Sequence, residues 1–415
     1  MSAINNPNAN LISPGSESRV EAAPPFVESL RRVLQQNIRD YAMFIALFLI
    51  MAFFTFTTNG LFISSRNIAN LLNQTGYIAV LAVGMTLVIV IRQIDLSVGF
   101  LSGFLGALAA IAMAKFQVSV WVVIPAVLVL GVVAGLITAY PVARLGIPSF
   151  VASLAGWLIY RGLLLVVLAG TGTVIIADEV FNAVGNSYLP DPVNLVPGVH
   201  TVTLLLGAVA IALYVWSEFS NRRKKQAYNF EVLPMNLFIL KLVFVTVILA
   251  GITWILAGYN GLSWTVVIVL IVVAVYHFIT TQTVLGRHIY AVGGNPEAAE
   301  LSGVSVRRIT FIVFGSMGML SALSGILFAS RLRSATPTAG TLFELDAIAA
   351  AYIGGVSAAG GVGTIVGSLI GALVYTSLTS GMNLMGMDIA YQYVIRGAVL
   401  ALAVIFDVMT RNRAK

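Results

Sequence analysis

Cysteine is absent from all 415 residues, which excludes disulfides and cysteine metal sites but does not identify a compartment. Charge is nearly as scarce. Lys, Arg, Asp and Glu make up 9% of the chain, about a third of the share usual in soluble domains. The three histidines, His200, His277 and His288, are scattered and lack metal-ligand spacing. No G-x-x-x-x-G-K-[ST] run offers a phosphate-binding loop, and no Ser-centred elbow offers a nucleophile. These absences argue against an enzyme: no catalytic residue, no metal and no cofactor bound by this chain is expected.

What the chain has instead is apolar sequence, 59% of its residues. No soluble core needs so much with so little charge, so the fold class is an all-α polytopic integral membrane protein. About 20 apolar residues cross the hydrocarbon layer as a helix, whereas a barrel would show alternating segments of about ten, and those are missing. About twelve segments suit crossing: 41–58, 71–92, 98–114, 119–140, 147–169, 200–216, 237–256, 263–283, 309–330, 342–357, 362–380 and 389–408. The tenth is short and rich in Ala and Gly, so it suits a re-entrant segment as well as a crossing.

A net charge of +7 raises nucleic acid as a partner. The cations, however, gather at span ends and in alternate loops, as the positive-inside rule requires. Membrane lipid is therefore the expected neighbour and nucleic acid is not. Residues 1–25 are polar and expected as a disordered cytoplasmic tail. No secretory leader is expected, because the first apolar stretch lies too far in and is long enough to stay. Val27 to Asp40 could lie on the membrane surface as an amphipathic helix. The remainder, 26–415, reads as one transmembrane domain. It has a basic cytoplasmic loop at 218–235, carrying Arg222, Arg223, Lys224 and Lys225, and a second cytoplasmic loop at 284–308. Loop 170–199 carries Asp178, Glu179 and Asp191 but no Lys or Arg. That places it outside and both termini in the cytoplasm, with Arg66, Lys115, Arg331 and Arg333 running against the trend.

Within the second loop, residues 293–303 read as a small capped helix. Asn295 can cap the first free amides and Pro296 falls at the first helical position. Glu297 and Glu300 favour the positive end, and Gly303 suits a left-handed stop. So short a helix is marginal alone in water; it either lies on the membrane surface or docks against a soluble partner.

Polar groups inside the apolar runs are the other candidates. Arg161 and Arg396 lie within spans, where an Arg costs roughly 2.5–3.5 kcal/mol on insertion scales and so faces protein or a water-filled cavity. Each either lines a pathway or forms a structural ion pair. Asp95, Glu344 and Asp346 lie near span ends, where solvation is easier, and Asp95 also suits capping a helix that starts at Ser97. Asn70, Asn73 and Gln74 share a helical spacing, and Asn383 and Gln392 sit near the outer end of the last pair. Gly363, Gly367 and Gly371 recur every four residues, as tight helix packing requires; Gly99, Gly103 and Gly106, spaced four and three, and Gly131 and Gly135 do a similar thing. Asp95 precedes Gly103 by eight residues, as Asp346 precedes Gly354, and Arg-Gly recurs at 161–162 and 396–397. This hints at the internal repeats of transporters.

Ala82-Val83-Gly84-Met85-Thr86-Leu87-Val88-Ile89, followed by Ile94-Asp95-Leu96-Ser97-Val98-Gly99, resembles the signature of the monosaccharide-type ATP-binding-cassette importer permeases, the ribose/xylose/arabinose group. So do Gly286-Arg287 to Gly303, Glu344 to Ala350, and Gly360-Gly361-Val362-Gly363. The resemblance runs from about residue 40 to the C-terminus, and the extra span pair around 218–235 is most similar to the xylose and multiple-monosaccharide branch. It implies a ten-span core plus two segments in a bacterial inner-membrane homodimer. It also implies a separate cytoplasmic ATPase that holds ATP and Mg, and a periplasmic monosaccharide-binding protein. Asn295, Pro296, Glu297, Ala298, Glu300, Leu301 and Gly303 would then form the coupling helix. Asn70, Gln74, Asp95, Ser97, Arg161, Glu344, Asp346, Asn383, Gln392 and Arg396 are the substrate-pathway candidates. The competing expectation is an ion-coupled secondary sugar transporter working through Asp95 or Asp346.

Overall fold

A computed structural model of the chain describes residues 38–192, 197–230 and 232–413. The expected tail 1–25 and residues 27–37 of the expected surface helix lie outside the described residues. Residues Arg39–Lys415 form one compact unit. Helices dominate. In order they are α1 Ile38–Thr57, α2 Ser65–Val90, α3 Val98–Ala114, α4 Val120–Leu145 and α5 Ser149–Val167. Then come β1 Val174–Ile175, α6 Glu179–Asn186, α7 Thr201–Ala227, α8 Met235–Ala257 and α9 Trp264–Gln282. Two short helices follow, α10 Val284–Gly294 and α11 Pro296–Leu301, then α12 Val306–Leu332, β2 Ser334–Ala335, α13 Phe343–Ile353, α14 Ile365–Leu384 and α15 Ile389–Arg413. Each expected apolar segment is thus a helix. Among the described residues nine are long and apolar enough to cross a membrane, beside the shorter apolar stretches Met43–Thr57 and Val98–Ala114. The protein is a polytopic membrane protein.

Two helices form the middle. From Ile78 to Val90 every residue of α2 is buried, and α12 is buried around most of its circumference; a helix apolar all round belongs inside. Small residues let neighbours close in on them. A Cβ on Gly135 of α4 would lie 2.1 Å from the Phe314 carbonyl oxygen of α12, so that crossing accepts only glycine. Gly367 and Gly371 likewise face the carbonyls of Gly354, which caps α13, and of Ala350, whereas Gly363 precedes α14 in non-helical backbone. Hydroxyl bonds pin α2 to α14, Thr75 to Thr376 at 2.8 Å and Thr86 to Ser368. The outer helices present Leu158, Val166, Trp216, Phe244 and Val394 outward, the surface that lipid solvates.

Two lengths depart from expectation. α13 has 11 residues, a rise of about 16 Å against a hydrocarbon layer of about 30 Å. It is reached from β2 through non-helical residues 336–342, whose Ala339 and Gly340 are buried against α3. Irregular backbone is tolerated at depth only when covered by protein. α7, by contrast, continues to Ala227, so Arg222 to Lys225 belong to a helix and not to a loop. Nothing between Ser217 and Ala227 breaks a helix, and cations suit its negative C-terminal end.

The two ends of the bundle are distinct. At one, β1 pairs with β2, and α6, capped by Asp178 accepting from the Phe181 amide at 2.7 Å, packs beneath Ser330. At the other, the Gly361 amide donates to the Val90 carbonyl and the Tyr290 hydroxyl to the Gly363 carbonyl. The described residues of the acidic 170–199 stretch and the basic 284–308 stretch therefore lie at opposite ends.

Candidate functional site

The first turn of α13 holds two acids, Glu344 and Asp346, where the helix dipole favours them. Both are buried, at 4% and 7% exposure, as is Asp95 at 2%. This corrects the expectation that these carboxylates are readily solvated. They lie near helix ends in sequence, but the ends are covered because residues 336–342 descend into the bundle before α13 begins. The Trp157 indole, which donates to Glu344 Oε1 at 3.0 Å, stands eight residues into α5, about 12 Å along its axis.

Being two residues apart on a helix, the acids point to different neighbours. Asp346 Oδ1 accepts from the Tyr375 hydroxyl at 2.6 Å and from the Arg396 guanidinium, whose Nε also donates to Tyr375 at 2.7 Å. The Arg396 guanidinium lies 5.1 Å from the Tyr375 ring and 5.8 Å from that of Tyr393. Arg396 is thus the structural ion pair. Arg161 is handled otherwise: it donates to the Pro337 carbonyl and lies 4.9 Å over the Phe100 ring. One turn away, Glu344 Oε2 is buried, packed against Gly99, and has no hydrogen-bond partner among the described residues. Arg161, Trp157, Phe100 and Glu344 therefore gather one cation, two rings and a half-bonded acceptor around residues 337–344. Acceptors and ring faces of this kind suit a neutral solute rich in hydroxyls.

The remaining pathway candidates do not join this cluster. Asp95 accepts from the Ser97 amide at 2.9 Å and the Ser97 hydroxyl at 2.6 Å; it closes the turn before α3, whose first helical residue is Val98. Asn70 is exposed and Gln74 half-buried, while Asn73 between them is buried and accepts from Ser263 of α9. Gln392 donates to Asn383 Oδ1 and to the Met387 carbonyl, both at 2.9 Å, and so fastens the turn between α14 and α15. The doubled Asp and Arg-Gly steps are not equivalent: Asp346 holds Arg396, but Asp95 turns to Ser97.

At the far end, α11 forms as its sequence implies. Asn295 Oδ1 accepts from the Ala298 amide at 3.1 Å, Pro296 is the first helical residue, Glu297 lies in the first turn and Gly303 has a φ of +84°. Glu300 falls in the last turn rather than at the positive end, since the helix has only 6 residues. Ala299 is buried inward, whereas Glu297, Glu300 and Leu301 project, the last at 91% exposure.

Sequence reasoning missed Trp157, Tyr375 and Arg92. Arg92 adopts a φ of +62° and donates through Nε to the Gly293 carbonyl at 2.7 Å and through Nη2 to the Gly294 carbonyl. It satisfies the free carbonyls ending α10 and ties α2 to the segment carrying α11. Its place just beyond an apolar run was the available signal. Trp157 and Tyr375 offered none, being ordinary residues of apolar helices.

Residues 67–404 match the family described as branched-chain amino acid transport system / permease component. The chain is 37% identical over 403 residues to the xylose transport system permease protein XylH of Escherichia coli (strain K12), covering 97% of this chain and 100% of that one. It is 39% identical over 379 residues to the XylH of Haemophilus influenzae, covering 91% and 98%. Against the ribose import permease protein RbsC of Escherichia coli (strain K12) the identity is 35% over 346 residues, 83% of this chain and 87% of that one. No solved structure matches the chain.

Proposed function

The chain belongs to the branched-chain amino acid transport system permease-component family, and on that premise we propose that it is the membrane subunit of an ATP-binding-cassette importer for a monosaccharide. Xylose or a related pentose or hexose is the cargo best supported, because the relatives named for xylose match over nearly their whole length. In this reading ATP and Mg are held by a separate cytoplasmic ATPase. A periplasmic monosaccharide-binding protein delivers sugar at the end bearing α6 and β1–β2, and two copies of the chain frame the pathway in a bacterial inner membrane.

The observation that carries the reading is α11. A capped, six-residue helix with an almost fully exposed leucine has no reason to be built so firmly unless its outer face meets something. It serves as the coupling helix, and Arg92 links it to the end of α2. Glu300→Lys tests this, because it reverses an exposed charge with almost no change in helix propensity. Normal membrane insertion, weaker co-purification with the ATPase and uptake falling in parallel are expected, since rim charges act on association more than on fold. Uptake lost with ATPase binding and stimulated hydrolysis intact would place the residue in some other role.

Burial of Asp346 lends the ion-coupled alternative a carboxylate at depth. Arg396 and Tyr375 already bond to Oδ1 of that carboxylate, however, and the Ser97 hydroxyl to Oδ1 of Asp95. A coupling ion would have to compete with those donors.

A further inference from the structure

α2 is one of the two middle helices, yet one face of its first half is left uncovered. Asn70, Gln74 and Tyr77, spaced four and three residues apart, are exposed or half-buried, while Ala69, Leu71, Asn73, Thr75 and Gly76 among them are buried. Tyr77 stands twelve residues into the helix, about 18 Å along its axis. α2 is packed by α9, α12, α13 and α14, so an accessible side chain at that depth marks a recess in the bundle. The recess opens toward the end bearing α6 and β1–β2. It closes at Tyr77, since Ile78 to Val90 are all buried.

Three helices meet at its floor. The Tyr77 ring lies 5.1 Å from that of Phe328 on α12 and 4.9 Å from that of Phe343 on α13, and those two lie 4.9 Å apart. Phe328 meets both other rings edge-on, an arrangement that rings favour, and Ser324 of α12 donates to the Tyr77 carbonyl at 3.0 Å. The rings are therefore held in place from both sides. One turn beyond Phe328, Arg331 is half-buried, and its charge acts on the hydroxyls of Tyr77 and Tyr188. Among the described residues the side chains of Gln74 and Arg331 make no hydrogen bond or ion pair. Asp346, whose charge also reaches Tyr77, is already bonded to Tyr375 and Arg396. The recess thus offers fixed ring faces, one amide and one guanidinium, with no carboxylate set against them. Apolar and aromatic walls with a few convergent polar groups are the composition of a small-molecule site. A sugar ring matches it, because its C–H face lies flat on an aromatic ring and its hydroxyls bond to amide and guanidinium.

We propose that this recess is a monosaccharide-binding station at the mouth of the pathway. Tyr77 takes the C–H face of the sugar, Gln74 and Arg331 hold its hydroxyls, and the Tyr77–Phe328–Phe343 floor closes the way inward. The inference rests on the reading of the chain as a monosaccharide permease subunit and adds a site separate from the cluster around Glu344.

The transporter assembled with its ATPase and binding protein would carry single cysteines in this otherwise cysteine-free chain. Labelling by a small water-soluble methanethiosulfonate would be followed with and without D-xylose. Gln74→Cys should label, and D-xylose should slow it about tenfold, the free fraction left at ten times the Kd. Lys115→Cys, at an exposed position ending α3, should label at one rate throughout. No labelling at Gln74→Cys would show that there is no recess, and labelling indifferent to D-xylose that no sugar enters it. Either result refutes the station, as would disulfide-linked pairs of Gln74→Cys chains, which would seat a second copy there. Uptake separates ring from fold: Tyr77→Phe should keep most D-xylose uptake at equal expression, and Tyr77→Leu should lose most of it. Arg331→Gln should lower uptake about tenfold, the weight of a charge-assisted hydrogen bond. Parental uptake in both Tyr77→Leu and Arg331→Gln would strip these residues of their roles. A parental transporter that takes up no pentose or hexose would instead overturn the permease reading, and the station with it. Parental uptake beside an unprotected Gln74→Cys overturns the station alone.

Discussion

Arg396 and Arg161 stand in the same Arg-Gly step of two membrane helices, and the protein accommodates them in opposite ways. Around Arg396 every charge is matched: Asp346 and Tyr375 complete a closed triangle of hydrogen bonds. Around Arg161, among the described residues, the positive charge meets only a carbonyl and a ring, while Glu344 one turn along keeps an oxygen unbonded there. A fully satisfied network holds one arrangement, whereas an incompletely satisfied one has a group in reserve for another. The α13–α15 contact is accordingly closed by matched groups, whereas the α3–α5–α13 contact keeps an acceptor in reserve.

The comparison breaks most visibly at Asp346. Asp346→Ala strands a buried guanidinium, and removing one partner of a buried pair costs about 3–5 kcal/mol. Folded protein surviving heat in detergent should fall sharply. Replacing both partners, Asp346→Leu with Arg396→Met, should recover most of it, because an apolar pair of similar volume avoids the desolvation cost. A single variant as stable as the parent would mean that Arg396 is not held by this carboxylate.

Arg161→Leu should cost less, about 1–2 kcal/mol in the same assay. A charge-assisted bond worth about 1.5–3 kcal/mol is lost, partly offset by removing a charge from the apolar interior. A loss as large as that of Asp346→Ala would show that Arg161 has a carboxylate partner in the working protein, with Glu344 a candidate.

The smallest effect on stability belongs to Glu344→Gln, expected within about 1 kcal/mol because the side-chain oxygen that Trp157 needs is retained. Sugar uptake is the discriminating measurement here, and a fall of tenfold or more at normal expression is expected of a pathway acceptor. Uptake at the parental rate would remove Glu344 from the pathway and leave it a packing residue.

How far these features were legible depends on their span in the chain. The apolar helices follow from composition, since a run of some 20 apolar residues has one stable form in lipid. The Asn295 cap was equally plain, because its donor is three residues away. The limits of α7 were misjudged where apolar sequence ends, because a helix with cations in its last turns persists beyond the hydrocarbon layer. Trp157 finding Glu344 across 187 residues, or Arg396 finding Asp346 across 50, leaves no mark on local sequence.

Sequence by itself determined that this is a helical membrane protein, which of its long apolar stretches are helices, and how the short helix at 296–301 starts and stops. All of these are local matters of hydropathy, capping and backbone geometry. Only tertiary structure decided that Glu344 and Asp346 are buried rather than solvated, that one arginine is paired and the other not, and that Arg92 fastens α10. Each depends on which distant backbone or side chain arrives opposite. That is settled when glycine faces such as Gly135 against Phe314 allow helices to close to contact, and a pattern read along one segment cannot supply it.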